Sequence, residues 1–200
     1  MLKGKKVVIG VTGGIGAGKS EILKFIAKHY DCEIYFADDV AFEVRKKGTE
    51  CYNKLAALLG EDVASDRQKM AKAVFADKEL LEKVNAIIHP AVKDYLLDAL
   101  NRAKEKGCEL FFVEAALLIE AGYKEILDEL WYVYADREVR VKRLMESRGY
   151  SREKAEGIMA NQLTDEVFRR ECDFIIDNSS SLDKAYDAIK RRLEGYRWQE

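Results

Sequence analysis

The stretch GVTGGIGAGKS, residues 10–20, sets five glycines ahead of Lys19 and Ser20, directly after the apolar run Val7-Val8-Ile9. Gly13, four further residues and then Gly18-Lys19-Ser20 fit the pattern G-x-x-x-x-G-K-[ST], in the context that pattern needs: an apolar strand before it and a helical periodicity after it. Glycines let backbone N–H groups converge on phosphate oxygens, and a helix start adds partial positive charge. The spacing predicts a nucleoside triphosphate cradled by Gly13, Gly14, Ile15, Gly16, Ala17 and Gly18, with Lys19 at the β- and γ-phosphates and Ser20 on Mg²⁺. A plain glycine-rich turn is the competing reading, and motif and context together weigh against it.

Working outward, short apolar runs recur at residues 6–11, 33–37, 109–114, 130–135 and 173–177, separated by helical sequence. That alternation predicts an α/β fold with a parallel five-stranded sheet buried on both faces and right-handed crossovers. Helices are expected at about 19–29, 38–47, 50–59, 77–106, 137–147, 151–163 and 181–195. The gap between the second and third strands is too long for one crossover, so residues 48–106 read as an inserted helical region. Within it Pro90, the chain's only proline, predicts a helix break near His89. Residues 137–170, highly charged and weakly apolar, read as a mobile helical flap.

With 200 residues and 48% hydrophobic content, the chain is sized for one cooperative domain. A formal net charge of -2 gives no bulk attraction for nucleic acid or an anionic membrane, so any anion must be bound locally. The basic start MLKGKK runs into an apolar stretch too short for a signal peptide, and no run reaches transmembrane length. A cytoplasmic protein without membrane or nucleic-acid partners, and a monomer by default, is expected. Cys32, Cys51, Cys108 and Cys172 lack metal-ligand spacing and read as reduced, mostly buried thiols.

What is done to the nucleotide depends on what surrounds the loop. A dinucleotide-binding dehydrogenase needs a different glycine spacing, and the base-reading NKxD motif of a GTPase is not matched by NKLA at 53–56. A small-molecule kinase needs an acid for the acceptor hydroxyl and positive charge for the transferring group. Asp38 and Asp39 follow the second apolar run and suit the acid role or helix capping alike, with Glu114 a further candidate near the metal. Arg137, Arg140, Lys142, Arg143, Arg148 and Arg152 crowd one span. Most of these read as a solvated helix face paired with Glu138, Glu146, Glu153 and Glu156, and one or two as phosphate ligands. His89 reads as a turn histidine or a ligand, and Arg67 as a surface partner of Asp66 or a binding residue.

Together, VTGGIGAGKS (11–20), FADDVAFEV (36–44), SDRQKMAKAVFAD (65–77), IIHPAV (87–92), EAALLIEAG (114–122), GYSREKAEGIMANQ (149–162) and CDFIIDNSSSLD (172–183) resemble the dephospho-CoA kinase family over nearly the whole chain. The resemblance implies a P-loop NTPase three-layer fold: core at about 1–47, 107–136 and 171–200, acceptor region at about 48–106, lid at about 137–170. It implies transfer of the γ-phosphate of ATP, with Mg²⁺, to the ribose 3′-hydroxyl of dephospho-CoA, the last step of coenzyme A synthesis. By position, Gly13, Gly18, Lys19 and Ser20 would hold ATP and Mg²⁺ and Asp38 would serve as base. Arg67, His89 and Gln162 fall on acceptor or lid positions, Arg143 on the lid arginine at the phosphates, and Asn178 on the loop near adenine. Phe36 and Phe42 stand where the family commonly has aspartate and arginine, Ala116 where it has proline, and Ser147 where it has a second lid arginine. These departures keep open a related kinase of another nucleoside or pantetheine-like alcohol, or a non-catalytic nucleotide- or CoA-binding protein.

Overall fold

A computed structural model describes residues 6–196; most of the basic opening, residues 1–5, lies outside them. The chain runs β1 (Val7–Thr12), α1 (Lys19–His29), β2 (Cys32–Phe36), α2 (Ala37–Val44), α3 (Glu50–Leu59), α4 (Glu61–Ala64), α5 (Arg67–Ala76), α6 (Lys78–Glu105) and β3 (Leu110–Glu114). A 3₁₀ turn at Tyr123–Ile126 leads to β4 (Glu129–Tyr134), α7 (Arg137–Arg148), α8 (Arg152–Ala160), α9 (Asp165–Glu171), β5 (Phe174–Asp177) and α10 (Leu182–Gly195). The strands form one parallel sheet in the order β2-β3-β1-β4-β5.

β1 lies in the middle, paired with β3 from Val7 opposite Leu110 and with β4 from Ile9 opposite Glu129. All six of its residues are buried, as a central strand covered on both faces requires. Ile9, Val11, Ile22, Ile26, Phe112, Trp131, Val133, Ile176 and Ile189 form the core around it. Trp131 meets Phe112 and Phe174 edge-on, with ring centroids 5.8 and 5.1 Å away, and its indole N–H donates to Glu129 at 2.8 Å. Such a buried indole is stable only because that polar edge has a partner. Acidic side chains secure two strand starts: Asp128 accepts from Val8 N and Asp173 from Leu130 N, both at 2.8 Å.

Two compact units emerge: residues 1–34 with 103–200, and residues 35–102. The first holds most of the sheet and the phosphate loop; the second holds α2 to α5 and most of α6.

The expected break at His89 does not occur, because α6 continues through Pro90 for 28 residues. Val84, Val92, Leu96, Ala99 and Ala103 keep one buried stripe on both sides of the proline, and that packing outweighs one lost backbone hydrogen bond. The helix expected over 151–163 stops at Ala160, where Asn161 turns its side chain back to Gly157 O at 3.0 Å. A separate α9 follows. The cysteines are free, but only Cys51 is fully buried; the other three are half-buried, contrary to the expectation of mostly buried thiols. Burial still pushes Cys32 up to about 11 and Cys172 up to about 12, which keeps both as thiols.

Candidate active site around the phosphate loop

β1 delivers the chain to the loop and α1 begins at Lys19, so the motif sits between strand and helix N-terminus as its mechanics require. Gly18, the residue before α1, has φ +96°, and a Cβ there would also run into the Asn178 amide. Gly13 likewise has φ +145°, with the Val133 carbonyl of β4 where a Cβ would stand. Both positions therefore need glycine.

Lys19 folds back over the loop. Its ammonium donates to Gly13 O at 2.8 Å and lies 3.5 Å from the Glu114 carboxylate at the end of β3. Both side chains are mostly buried, so this charge pair is little screened. Ser20, next along α1, is exposed.

Three more residues from the first unit converge on the loop. Asn178, 1% exposed after β5, donates from Nδ2 to Ala17 O at 2.8 Å, while its Oδ1 is buried without a partner. Arg143 on α7 donates to Asn178 O at 2.9 Å and to Ala17 O at 3.4 Å. Gln162, freed by the early end of α8, accepts at Oε1 from Ile15 N at 3.0 Å. Val141, Leu144 and Ala155 pack with Ile15, Tyr150 and Met159, so the hydrophobic seam of α7 and α8 reaches the loop.

Arg140 is the residue the sequence reading left among the solvated charges. Its Nε donates to Ile15 O at 2.8 Å and its Nη2 to Gln162 Oε1 at 2.9 Å, closing a clasp around Ile15. Burial lowers its pKa from the ordinary arginine value, yet it remains a cation at neutral pH. Spacing held the signal: Arg140 and Arg143 lie three apart on α7 and share one face. By contrast, Arg152 does pair with Glu138 and Glu156, at 2.9 and 3.4 Å.

The remaining candidates lie in the second unit. Asp38 and Asp39 occupy the first turn of α2, exposed; the residue before that helix is Phe36, and no side chain caps it. Capping therefore does not account for Asp38. Arg67 opens α5, and its neighbour Asp66 caps that helix through Gln68 N and Lys69 N at 2.7 and 3.1 Å rather than pairing with it. His89 is half-buried in α6, and burial lowers its pKa.

The sequence profile of the dephospho-CoA kinases matches residues 7–184. A dephospho-CoA kinase of Listeria monocytogenes serotype 4b is 36% identical over 186 residues, 90% of this chain and 92% of that relative. A solved Thermus thermophilus structure is similar at TM-score 0.81 and 31% identity, covering 96% of this chain and 98% of its own. The Campylobacter jejuni dephospho-CoA kinase shares the fold at TM-score 0.70 and 24% identity, with coverage of 96% and 98%. A match that runs from β1 into the first turn of α10 takes in the phosphate loop and every element carrying a candidate residue, and on it the chain belongs to the dephospho-CoA kinase family.

Proposed function

We propose that the protein transfers the γ-phosphate of ATP to the ribose 3′-hydroxyl of dephospho-CoA, giving coenzyme A and ADP in the cytoplasm, as a monomer. The observation that carries this reading is Lys19, held by Gly13 O and Glu114 at the start of α1, where the glycine-rich loop after β1 ends. In this reading the core binds ATP, residues 48–106 take the acceptor, and residues 137–170 act as the lid.

Phosphoryl transfer needs positioning and neutralised charge more than covalent help from the protein. Lys19 exchanges Gly13 O for the β- and γ-phosphate oxygens. Arg143 leaves the Asn178 carbonyl for the transferring group, and the unpartnered Asn178 Oδ1 accepts from the adenine amino group. Asp38, without a capping duty, orients the 3′-hydroxyl and takes its proton as the oxygen attacks phosphorus. Arg67, His89 and Gln162 hold the acceptor or the closed lid.

Mg²⁺ fits this donor set. Ser20 offers one hydroxyl and Glu114 one carboxylate close to Lys19, which suits a cation that keeps most of its ligands as phosphate oxygens and water. When bound, Mg²⁺ neutralises the β- and γ-phosphates.

The test is ADP release by the purified protein with MgATP, with and without dephospho-CoA, and mass spectrometry of the product. A product heavier by one phosphate at the 3′ position is expected. ATP binding without product from dephospho-CoA would overturn the acceptor assignment and call for a panel of other alcohols.

A further inference from the structure

The second unit contains a cavity of about 200 Å³ whose wall carries four cations and no carboxylate. Arg45, Lys46 and Lys47 come from the end of α2 and the turn after it, Arg67 from the start of α5, and Phe42 and Tyr52 add aromatic surface. Glu43 neutralises Lys46 from 2.6 Å. Arg45 is anchored by Nε to Ala41 O at 2.6 Å, with Nη1 turned toward the Met70 sulfur at 3.9 Å. Arg67 and Lys47 have no side-chain ion pair or hydrogen bond among the described residues. Tyr52 is 3% exposed, and its hydroxyl also has no partner.

Such a wall is unfavourable by itself. Burial, and after it the Arg67 charge, lowers the pKa of half-buried Arg45 against the opposing effects of Cys51 and Asp38, while Lys46, Lys47 and Arg67 are exposed. A buried hydroxyl without a partner adds a desolvation cost. An anion would relieve both, and planar guanidinium forks match phosphate oxygens.

We propose that this cavity is an anion subsite in which Arg45, Arg67 and the Tyr52 hydroxyl bind the diphosphate of the acceptor. The assignment rests on the function proposed above and adds to it the acceptor group recognised. Asp38, Phe42 and Arg45 follow one another at i, i+4 and i+7, on one face of α2 and its C-terminal residue. Seven residues rise about 10 Å along a helix. A ribose 5′-diphosphate presents its 3′-hydroxyl and its phosphates over a comparable span, so one ligand can address Asp38 and the cavity together.

Free pyrophosphate carries the same chemistry, and the experiment separates the two sources. Inorganic pyrophosphate is titrated calorimetrically into the whole protein already saturated with ADP, which fills the phosphate loop, and KM is measured for dephospho-CoA and for ATP. Pyrophosphate should bind and compete with dephospho-CoA. Arg45→Gln should raise the acceptor KM about 10- to 100-fold, the loss expected for a charge-assisted phosphate contact, while leaving the ATP KM in place. Arg45→Lys should recover part of the loss. Tyr52→Phe should weaken pyrophosphate severalfold without lowering Tm, since its hydroxyl has no partner to lose. Unchanged acceptor KM in Arg45→Gln and Arg67→Gln would overturn the proposal, and so would Arg45-dependent pyrophosphate binding that does not compete with dephospho-CoA. Were the wild-type protein to form no product from dephospho-CoA, the proposed function would fail by itself; pyrophosphate binding lost in Arg45→Gln would still support an anion subsite, and its retention would sink it.

Discussion

Replacing Arg140 with methionine tests whether the clasp on Ile15 prepares the phosphate loop for nucleotide. Methionine keeps an apolar stem of similar reach and removes both donors, those to Ile15 O at 2.8 Å and to Gln162 Oε1 at 2.9 Å. Hydrogen bonds from a charged group contribute about 1.5–3 kcal/mol each, and Arg140 is only half-buried, so we halve that for solvent screening. The two together then amount to about 1.5–3 kcal/mol of stability, measurable by urea denaturation. If Ile15 loses its fixed backbone in the nucleotide-free protein, binding must restore it at about 1–2 kcal/mol. That corresponds to ADP affinity weaker by about 5- to 30-fold in calorimetry. A double-mutant cycle with Gln162→Ala should give a coupling of about 0.5–2 kcal/mol, because Gln162 Oε1 accepts from both Arg140 Nη2 and Ile15 N. ADP binding that is unchanged or tighter in Arg140→Met would refute the reasoning and make the clasp an obstacle to nucleotide.

Asp38→Asn should lower kcat by about 10²- to 10⁴-fold with ATP affinity intact, and near-normal turnover would remove Asp38 as base. Pro90→Ala should stabilise the protein by about 1–3 kcal/mol in urea, since alanine restores a backbone donor inside α6; a loss of stability would show that the proline ring is packed to advantage. Burial holds His89 below its usual pKa of 6.5, so the unfolded chain takes up the proton more readily and the contribution of neutral His89 is complete above pH 6.5. It is lost as pH falls through the lowered folded value, and His89→Gln should flatten the decline in stability between pH 7 and 5; equal slopes for both proteins would exclude the histidine as its source.

Sequence alone determined the parts that local pattern and backbone chemistry control. The glycine spacing and the apolar run before it located the phosphate loop, and β1 and α1 begin and end within a residue of their expected bounds, because burial on both strand faces leaves an unbroken hydrophobic signature. Period-3.6 apolar spacing gave α6 its length. Tertiary structure alone decided what is settled between residues far apart in the chain. Pro90 stays inside a helix because buried residues on both sides outweigh its local penalty, and Gln162 reaches Ile15, 147 positions earlier, because α8 stops three residues sooner than its periodicity indicates. In sequence Arg140 looks like Arg137 or Arg152; only the fold separates a guanidinium over the phosphate loop from one paired with glutamate, because a charge takes its role from the atoms that replace its water.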